Sequence, residues 1–461
     1  MYESFKETGE KWLRCIPERW EICRLKSLFS FGKGLPITKA DLIENGTPVI
    51  SYGQVHSKAN SGTGLSTSLF RFVSDDFLST NKQSLVKKGD FIFADTSEDR
   101  NGCGNCVYID KNIPIFAGYH SIILKTKKAF DNKYLAYLFL TDHWRFQIRS
   151  KVDGVKVFSV SKPILSSTNI VLPPREEQDQ IVRYLDWQVS KINKLIHGYQ
   201  REIKLLEERK KTTIDNAVTH GIDNSVTQIQ TPEAVWFSSI PNTWRATKMR
   251  EVFSERNEKV SDKEYQALSV GKMGVVPQLE TAVKTDNGDN RKLICKGDFA
   301  INSRSDRKGA GGISEYIGSA SLIITVLKPR KELNSQFYHN LLRSHYFSEE
   351  FYRNGHGLVS DLWTTKWDEM RNIYIPVPPI DIQESIVEYL DNEVGKVDDA
   401  INKTNEKIDL LREYRSRLIS DVVTGQIDVR GIEIPDYTPE TDAEDEPNDV
   451  EISDEEATEN E

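Results

Sequence analysis

Two stretches of the chain, about 200 residues apart, carry apolar residues at alternating steps of four and three. This spacing is typical of a heptad seam, the stripe along which a long helix packs against a partner helix. Packing on a globular core is the alternative, but two matched stripes favour helices of roughly 38 residues that pair with each other. The predicted pairing residues are Leu185, Val189, Ile192, Ile196, Ile203 and Leu206 in the first helix, and Leu390, Val394, Val397, Ile401, Ile408 and Leu411 in the second.

Both predicted helices begin with nearly the same sequence. Residues 172–186 read LPPREEQDQIVRYLD and residues 377–391 read VPPIDIQESIVEYLD. Paired prolines end a strand-like run and suit the first turn of a helix, where the following acidic residues also favour the helix dipole. With a shift of 205 residues, 173–223 align with 378–428 without a gap, and 20 of 51 pairs are identical. The chain is therefore a tandem duplication.

The duplicated unit is a globular piece followed by a helix. Weaker echoes precede each helix: IPERW and IPNTW, then KKGDFIF and CKGDFAI. We predict a first globular domain over 1–172, a helical region over 173–232, a second domain over 233–377, a second helical region over 378–430 and a tail over 431–461. The fold class expected is α/β (α+β), with both globular domains of mixed helix and strand.

The relative direction of the two helices follows from the distance that the second globular piece can span between them. The first is predicted to end near residue 216, and a globular piece of 145 residues has a radius of gyration of only about 15 Å. Such a piece is too small to carry the chain from the end of the first helix back to the level of its start, as a parallel pair would require. We therefore expect an antiparallel coiled-coil pair that separates the two globular domains, with pseudo-twofold symmetry.

The composition is that of an ordinary globular chain, with 38% hydrophobic and 28% charged residues among 461. No apolar run has the length of a membrane helix, and the first residues contain no signal-peptide core, so we expect a cytoplasmic protein without a membrane partner. Five cysteines are too few for a disulfide framework and agree with a reducing compartment.

The negative charge of the chain is concentrated at its end. Residues 429–461 contain 14 acidic residues and one arginine, so the preceding 428 residues have a net charge of +4 although the whole chain has −9. Both globular pieces are mildly basic. The acidic tail is expected to be disordered, to act as a solubilising extension and to be dispensable for recognition.

Several motifs resemble those of one family. They are GKGLPITKADL and NGTPVI in the first globular piece, the two KGDF turns, the two helix starts and SDVVTGQIDVR at 420–430. Together with the duplication, they make the chain similar to the specificity (S) subunits of type I restriction-modification systems over residues 10 to about 432. One departure is that NEKVSDKEYQALSV stands in the second piece where the first has its GxPI segment.

The resemblance implies two target recognition domains, each reading half of a split double-stranded DNA sequence, and two helical regions that act as a ruler. It also implies two methyltransferase (M) subunits and two endonuclease/translocase (R) subunits as partners. The assembled complex would be a site-specific endonuclease and adenine DNA methyltransferase. S-adenosylmethionine, ATP and Mg would be used by those partners and not by this chain.

The sequence contains no recognisable catalytic site. A complete GxxxxGK[ST] loop is absent, as is an Asp/Asn-Pro-Pro-aromatic tetrapeptide of the amino-methyltransferase type. Cys103 and Cys106 form a single CxxC, for which buried thiols in a turn are favoured over a zinc site. We therefore predict no catalytic and no metal-binding residues. An unrecognised fused restriction or modification enzyme is the rival hypothesis, but the duplication occupies almost the entire chain.

Three polar segments are candidates for reading DNA, since Lys and Arg bind phosphates and forked side chains hydrogen-bond to base edges. SYGQVHSK places polar residues at alternating positions, TSEDRNG adds an arginine, and NSRSDRKG sets cations among small residues. For each loop, an exposed polar turn without DNA contact is the alternative. The predicted DNA-binding residues are Tyr52, Gln54, His56, Lys58 and Arg100 in the first piece and Arg304, Arg307 and Lys308 in the second.

Overall fold

The computed structural model describes residues 2–127, 132–278, 288–304, 309–357 and 363–438. The chain forms two compact units. The first takes in the chain up to Gly198 and again from Lys407, and the second runs from Tyr199 to Glu406. The division falls inside both long helices, so each unit contains a part of each. The predicted domain boundaries, which place the helices in regions of their own, stay predictions.

The first unit contains fourteen strands among its described residues. They are β1 (Phe5–Glu10), β2 (Leu13–Pro17), β3 (Glu21–Arg24), β4 (Phe29–Lys33), β5 (Thr47–Ile50), β6 (Arg71–Val73), β7 (Leu85–Val86), β8 (Phe91–Ala94), β9 (Thr96–Ser97), β10 (Cys106–Tyr108), β11 (Ile115–Ala117), β12 (Ser121–Thr126), β13 (Phe158–Ser159) and β14 (Asn169–Leu172). Its helices are α1 (Leu25–Leu28), α2 (Tyr52–Val55), α3 (Phe77–Thr80), α4 (Lys133–Phe139), α5 (Asp142–Arg149), α6 (Lys162–Ser166) and the first part of α7 (Arg175–His220).

The second unit repeats this plan with its own elements. Its strands are β15 (Gln228–Gln230), β16 (Ser239–Pro241), β17 (Arg245–Lys248), β18 (Phe253–Glu255), β19 (Lys259–Val260), β20 (Leu268–Gly271), β21 (Gly274–Pro277), β22 (Arg291–Ile294), β23 (Phe299–Asn302), β24 (Gly311–Ile313), β25 (Gly318–Ala320), β26 (Ile324–Pro329) and β27 (Tyr374–Val377). Its helices are α8 (Met249–Val252), α9 (Ser335–Arg343), α10 (His345–Arg353), α11 (Trp367–Met370) and α12 (Ile380–Val423), which continues into the first unit.

A four-stranded antiparallel sheet is common to both units. Its order is β10-β8-β12-β4 in the first and β24-β23-β26-β18 in the second. In each unit a two-stranded pair, β3 with β14 or β17 with β27, joins the start of the globular piece to the strand before the long helix. The mixed fold class with two duplicated globular pieces is confirmed.

The segment in which the two sequences diverge occupies a similar place in both units. In the first, β5 of the NGTPVI segment pairs in parallel with β11. In the second, Ala267 makes a parallel bridge to Ser319 of β25. The sequence QALSV therefore stands in the second unit where TPVI stands in the first, although the residues differ.

Aromatic side chains fill the space between the first sheet and its helices. Phe91 and Phe93 of β8 pack against Phe139 of α4, whose ring lies 4.2 Å from that of Trp144 in α5. All four are buried, and each such burial stabilises the fold by about 1.5–3 kcal/mol. In the second unit, the main core also contains Val218 of α7 and Leu390 of α12, so both long helices are part of it.

The repeated prolines and glutamines fix where the long helices begin. The side-chain amide of Gln178 donates to the carbonyl of Pro173 at 2.8 Å, and that of Gln383 donates to the carbonyl of Pro378 at 2.9 Å. These bonds satisfy carbonyl groups just before the helix. With 46 and 44 residues, α7 and α12 are longer than predicted. The apolar stripe understates their length because Lys210 and Arg415 interrupt it.

The two long helices run antiparallel, as predicted from the small size of the globular piece between them. The contacts within each unit show this separately. In the first, Gln180 contacts the carbonyl of Val429, and Asn193 contacts Arg415. In the second, Lys210 binds Asp398, and further along α7 Val218 shares a buried cluster with Leu390. In both units, the residue numbers rise on one helix while they fall on the other.

The twelve predicted stripe residues are all at least partly shielded from solvent. Leu185, Ile192, Ile196, Leu390, Val397 and Ile408 are buried. The other six are half-buried: Val189, Ile203, Leu206, Val394, Ile401 and Leu411. This burial agrees with helix pairing.

Most of the predicted acidic tail, residues 439–461, lies outside the described residues. The preceding residues 431–438 are described, and the carbonyl of Ile432 accepts a hydrogen bond of 2.8 Å from the side chain of Gln180. The beginning of the predicted tail thus packs on α7. In the described part of the chain, no helix is long and apolar enough to cross a membrane.

Candidate nucleic-acid interface

The SYGQVHSK segment begins with a short helical turn. Tyr52 to Val55 form α2, and the side chain of Gln54 accepts a hydrogen bond of 3.1 Å from the backbone N–H of Ser51. This Ser-x-x-Gln capping box closes the turn. Residues two apart on a helix point in different directions, so Tyr52 and Gln54 do not share a face.

An aromatic cluster surrounds Tyr52. Its ring lies 5.6 Å from the rings of both Tyr119 and His120. His120 adopts a φ of 51°, a left-handed conformation that is uncommon for non-glycine residues, and its Nδ1 lies 3.2 Å from a carboxylate oxygen of Asp95. The His120 side chain is 57% exposed. The sequence analysis did not identify Tyr119 and His120. The available signal was the Tyr-His pair that follows Gly118 directly after an apolar run.

The other predicted residues of the first unit have different surroundings. His56 Nε2 lies 2.8 Å from the carbonyl of Thr96, and its Nδ1 lies 3.1 Å from the side-chain nitrogen of Asn105. Both ring nitrogens are therefore used to hold neighbouring segments of the fold. Lys58 is exposed. Arg100 is exposed as well, and its guanidinium lies 5.6 Å from the centre of the Phe158 ring on β13.

Only part of the basic loop in the second unit is described. Arg304 is exposed, and its backbone bridges to Thr364, while Arg307 and Lys308 lie outside the described residues. The hydroxyl of Tyr352 on α10 donates to the carbonyl of Arg304 at 3.4 Å. This end of the loop is thus attached to α10 while the cationic side chain of Arg304 is exposed.

A β-hairpin of the second unit was not predicted. Strands β20 and β21 pair from Leu268 with Pro277 to Gly271 with Gly274, which leaves Lys272 and Met273 as a two-residue turn. Both turn residues are exposed, and Met273 is 87% exposed. The available signal was the pair of glycines that flanks Lys-Met between short apolar runs.

The cysteines do not come together as a cation site in the described ranges, where no three His, Cys, Asp or Glu residues form a group that could hold a metal ion. Cys103 and Cys106 are buried. Burial raises the pKa of Cys106 to about 12, so this thiol is protonated at neutral pH. These observations agree with the interpretation of buried thiols in a turn.

Comparison with known proteins gives consistent results. Residues 17–205 match the family described as type I restriction modification DNA specificity domain. Over 459 residues, the chain is 23% identical to the type I restriction enzyme MjaVIII specificity subunit of Methanocaldococcus jannaschii, with 93% of this chain and 97% of the relative covered. A putative MjaX specificity subunit of the same organism is 24% identical over 455 residues, with the same coverage.

A solved structure shows the same fold. A chain from a study of complex assembly and conformational transition of the type I R-M system superposes with a TM-score of 0.63 at 18% identity, covering 89% of this chain and 99% of that one. The resemblance to specificity subunits found in the sequence is confirmed. The two specificity-subunit relatives extend over both duplicated pieces, beyond the residues that match the family.

Proposed function

We infer that this chain is the DNA-recognition subunit of a type I restriction-modification complex. The observation that carries this inference is the similarity to specificity subunits over 93% of the chain, which includes both copies of the duplicated unit. Two readers of related fold suit a target that consists of two half-sites. Direct reading of base edges by exposed side chains then specifies the sequence, while lysines and arginines bind phosphates.

The chain acts without a catalytic centre of its own. Cleavage and methylation belong to partner subunits, and the role of this chain is to deliver them to one sequence. We propose two methyltransferase and two endonuclease/translocase subunits in the full assembly. S-adenosylmethionine, ATP and Mg are assigned to those partners.

The candidate contact residues follow from exposure and position. In the first unit Tyr52, Lys58 and Arg100 remain candidates, and the exposed His120 joins them. His56 and Gln54 are better suited to shaping the loop because their side chains bind neighbouring backbone or amide groups. In the second unit Arg304 is the described candidate, and Arg307 and Lys308 stay predictions from the sequence.

The test is methylome sequencing of cells that express the chain together with its methyltransferase partner. We expect methylation at a single split motif that disappears when this chain is omitted. The purified chain alone should neither methylate nor cleave DNA. Methyl transfer by the isolated chain, or an unchanged methylated motif in its absence, would contradict the proposal.

A further inference from the structure

The hairpin β20–β21 holds an apolar side chain in solvent at the end of a short, regular turn. Ser269 pairs with Val276 and Val270 with Val275, so one face of the hairpin packs inward and the other is exposed. Lys272 is the one charged residue between Leu268 and Pro277. Met273 projects next to it. A single exposed methionine is ordinary on a protein surface. Whether Met273 indicates a binding site therefore depends on the residues that hold the turn and on the residues around it.

The turn is supported by a half-buried arginine. Arg343, the last residue of α9, donates from Nη2 to the carbonyl of Lys272 at 2.6 Å, and its Nη1 lies 3.3 Å from Nε2 of His339. Burial lowers the pKa of Arg343, which means that its guanidinium has lost part of its hydration. A desolvated arginine that binds the turn carbonyl holds the tip in one conformation.

The hairpin also lies beside the strand that leaves the predicted basic loop. A Cβ on Gly312 of β24 would lie only 3.1 Å from the Cα of Gly274 and 3.3 Å from the His339 ring. Glycine at 312 therefore permits a close approach of the two backbones. Arg304 follows β23, which pairs with β24, so it lies just beyond the end of a strand of the sheet on which the hairpin packs.

We propose that the Lys272–Met273 turn enters a groove of the DNA half-site read by the second unit, where Met273 packs against base edges and Lys272 neutralises a phosphate. This inference rests on the proposed function and names a specificity-determining residue for it. The turn follows shortly after the QALSV stretch, which stands in the second unit where TPVI stands in the first.

Duplex DNA fits this surface better than a protein partner does. The exposed charges of the turn and of the described start of the basic loop, Lys272 and Arg304, are both positive. DNA presents phosphates for such cations and apolar base edges, including thymine methyl groups, for a side chain such as methionine. Narrow two-stranded ribbons also fit into the major groove.

The experiment selects preferred targets from a randomised duplex library with the full-length chain in complex with its methyltransferase partner. Met273→Ala should relax discrimination by about 5- to 150-fold at one or two adjacent base pairs of one half-site, with the salt dependence unchanged. Lys272→Ala should weaken binding to all sequences alike and reduce the slope of log K against log salt by about 0.9.

Ile317→Ser is the matched control. Ile317 is 61% exposed and follows the other end of β24, so its loss removes similar apolar surface away from the turn. It should leave both the selected sequence and the salt slope unchanged. Thermal unfolding of the three variants shows whether each one folds.

The outcomes separate this inference from the proposed function. If the wild-type complex selects no split sequence, the proposed function fails. If it selects one and folded Met273→Ala selects it with equal discrimination, the turn does not read DNA. A Met273→Ala variant that loses its partner subunit while it keeps its DNA preference also overturns the inference and indicates a protein contact.

Discussion

The two copies of the long helix use the same two positions for a polar contact but with different chemistry. In the second unit, Lys210 Nζ lies 2.7 and 2.8 Å from the two carboxylate oxygens of Asp398. In the first, Arg415 Nη1 donates to the side-chain oxygen of Asn193 at 2.6 Å. The shift of 205 residues relates Asn193 to Asp398 and Lys210 to Arg415. The register of the helix pair is thus common to both copies, whereas the charge at the contact is not.

The two KGDF turns, at 88–91 and 296–299, also share their backbone contact but differ in the charge of the partner group. Asp90 accepts backbone N–H groups of Lys87 at 3.0 Å and of Thr126 at 2.9 Å. Asp298 accepts the backbone N–H of Cys295 at 2.8 Å and, in addition, two guanidinium nitrogens of Arg256 at 2.6 and 3.2 Å. The shared motif encodes the turn, and the partner of its carboxylate was free to change between copies.

The ends of the long helices provide a third comparison. Gly221 follows α7 and packs on Pro241 and Trp244, while Gly425 follows α12 and packs on Pro17 and Trp20. Both glycines have positive φ, 81° and 75°. One contact joins residues about 20 positions apart, and the other joins the beginning of the chain to its end. A duplicated sequence therefore makes equivalent contacts of very different sequence separation.

The largest difference between the copies is expected at the KGD turns. Asp298→Asn removes the carboxylate from Arg256, whose side chain is 10% exposed, and we expect a loss of about 3–5 kcal/mol. Asp90→Asn should cost about 1–3 kcal/mol, because one of two backbone donors loses its acceptor. Burial raises the pKa of Asp90, which means that its charged form is destabilised there. The neutral amide introduced by Asp90→Asn avoids this cost and keeps the net loss of stability small.

Chemical denaturation, with hydrogen exchange to locate the affected unit, measures both losses. Glu258→Gln is the control for the ion pair, since Glu258 lies 3.1 Å from Arg256 but is 62% exposed and should contribute at most about 1 kcal/mol. Equal losses for the two Asp→Asn variants would mean that Arg256 adds nothing to the second turn.

The helix-end glycines are expected to differ by a smaller amount. Alanine at either position should cost about 1–2 kcal/mol for the left-handed backbone. At Gly425 a Cβ would also lie 2.5 Å from the Pro17 ring, whereas at Gly221 the nearest atom, on Trp244, is 3.3 Å away. Overpacking against a rigid ring typically adds about 1–3 kcal/mol, so Gly425→Ala should be the more destabilising variant.

Hydrogen exchange of residues 424–432 and 221–227 reports the two helix ends separately. Faster exchange is expected after 425 in Gly425→Ala and only a modest change after 221 in Gly221→Ala. The reverse order would show that the close approach to Pro17 is relieved by movement of the chain start.

Much of the helical part of this fold could be predicted because it depends on local patterns. The 4-3 stripe, the Pro-Pro starts and the ungapped repeat all lie within single segments. The sheets are different, since β4 and β12 pair residues such as Phe29 and Thr126 that are almost 100 positions apart. No local pattern specifies such a register. The duplicated sheet therefore became apparent only from the structure.

The candidate site was harder to predict than the helices. At 52–58, the alternating polar positions did not indicate a helical turn, although the Ser51-x-x-Gln54 capping box was a local signal for one. The hairpin at 268–277 was missed because its Lys-Met turn lacks the Asn-Gly or Asp-Gly pair that usually marks two-residue turns. The environment of Met273 depends on Arg343, which is 70 residues away in sequence.

The smallest expected effect converts the polar contact of one copy into that of the other. Burial lowers the pKa of Arg415, which shows that its charge is poorly solvated beside the neutral Asn193. Asn193→Asp supplies a carboxylate at the position equivalent to Asp398 and should stabilise the protein by about 0.5–1 kcal/mol at low salt. Asp398→Asn should destabilise by a similar amount, since Lys210 then binds only an amide.

Thermal unfolding of both variants at low and high salt tests this symmetry. Because the side chains of Lys210 and Asp398 are 33% and 46% exposed, salt should screen the pair and reduce both effects. The double variant Asn193→Asp/Asp398→Asn should unfold close to wild type, since it exchanges the two chemistries between copies. A loss of stability in Asn193→Asp at low salt would show that the first helix contact is built for a neutral acceptor, and that the two copies diverged in packing as well as in charge.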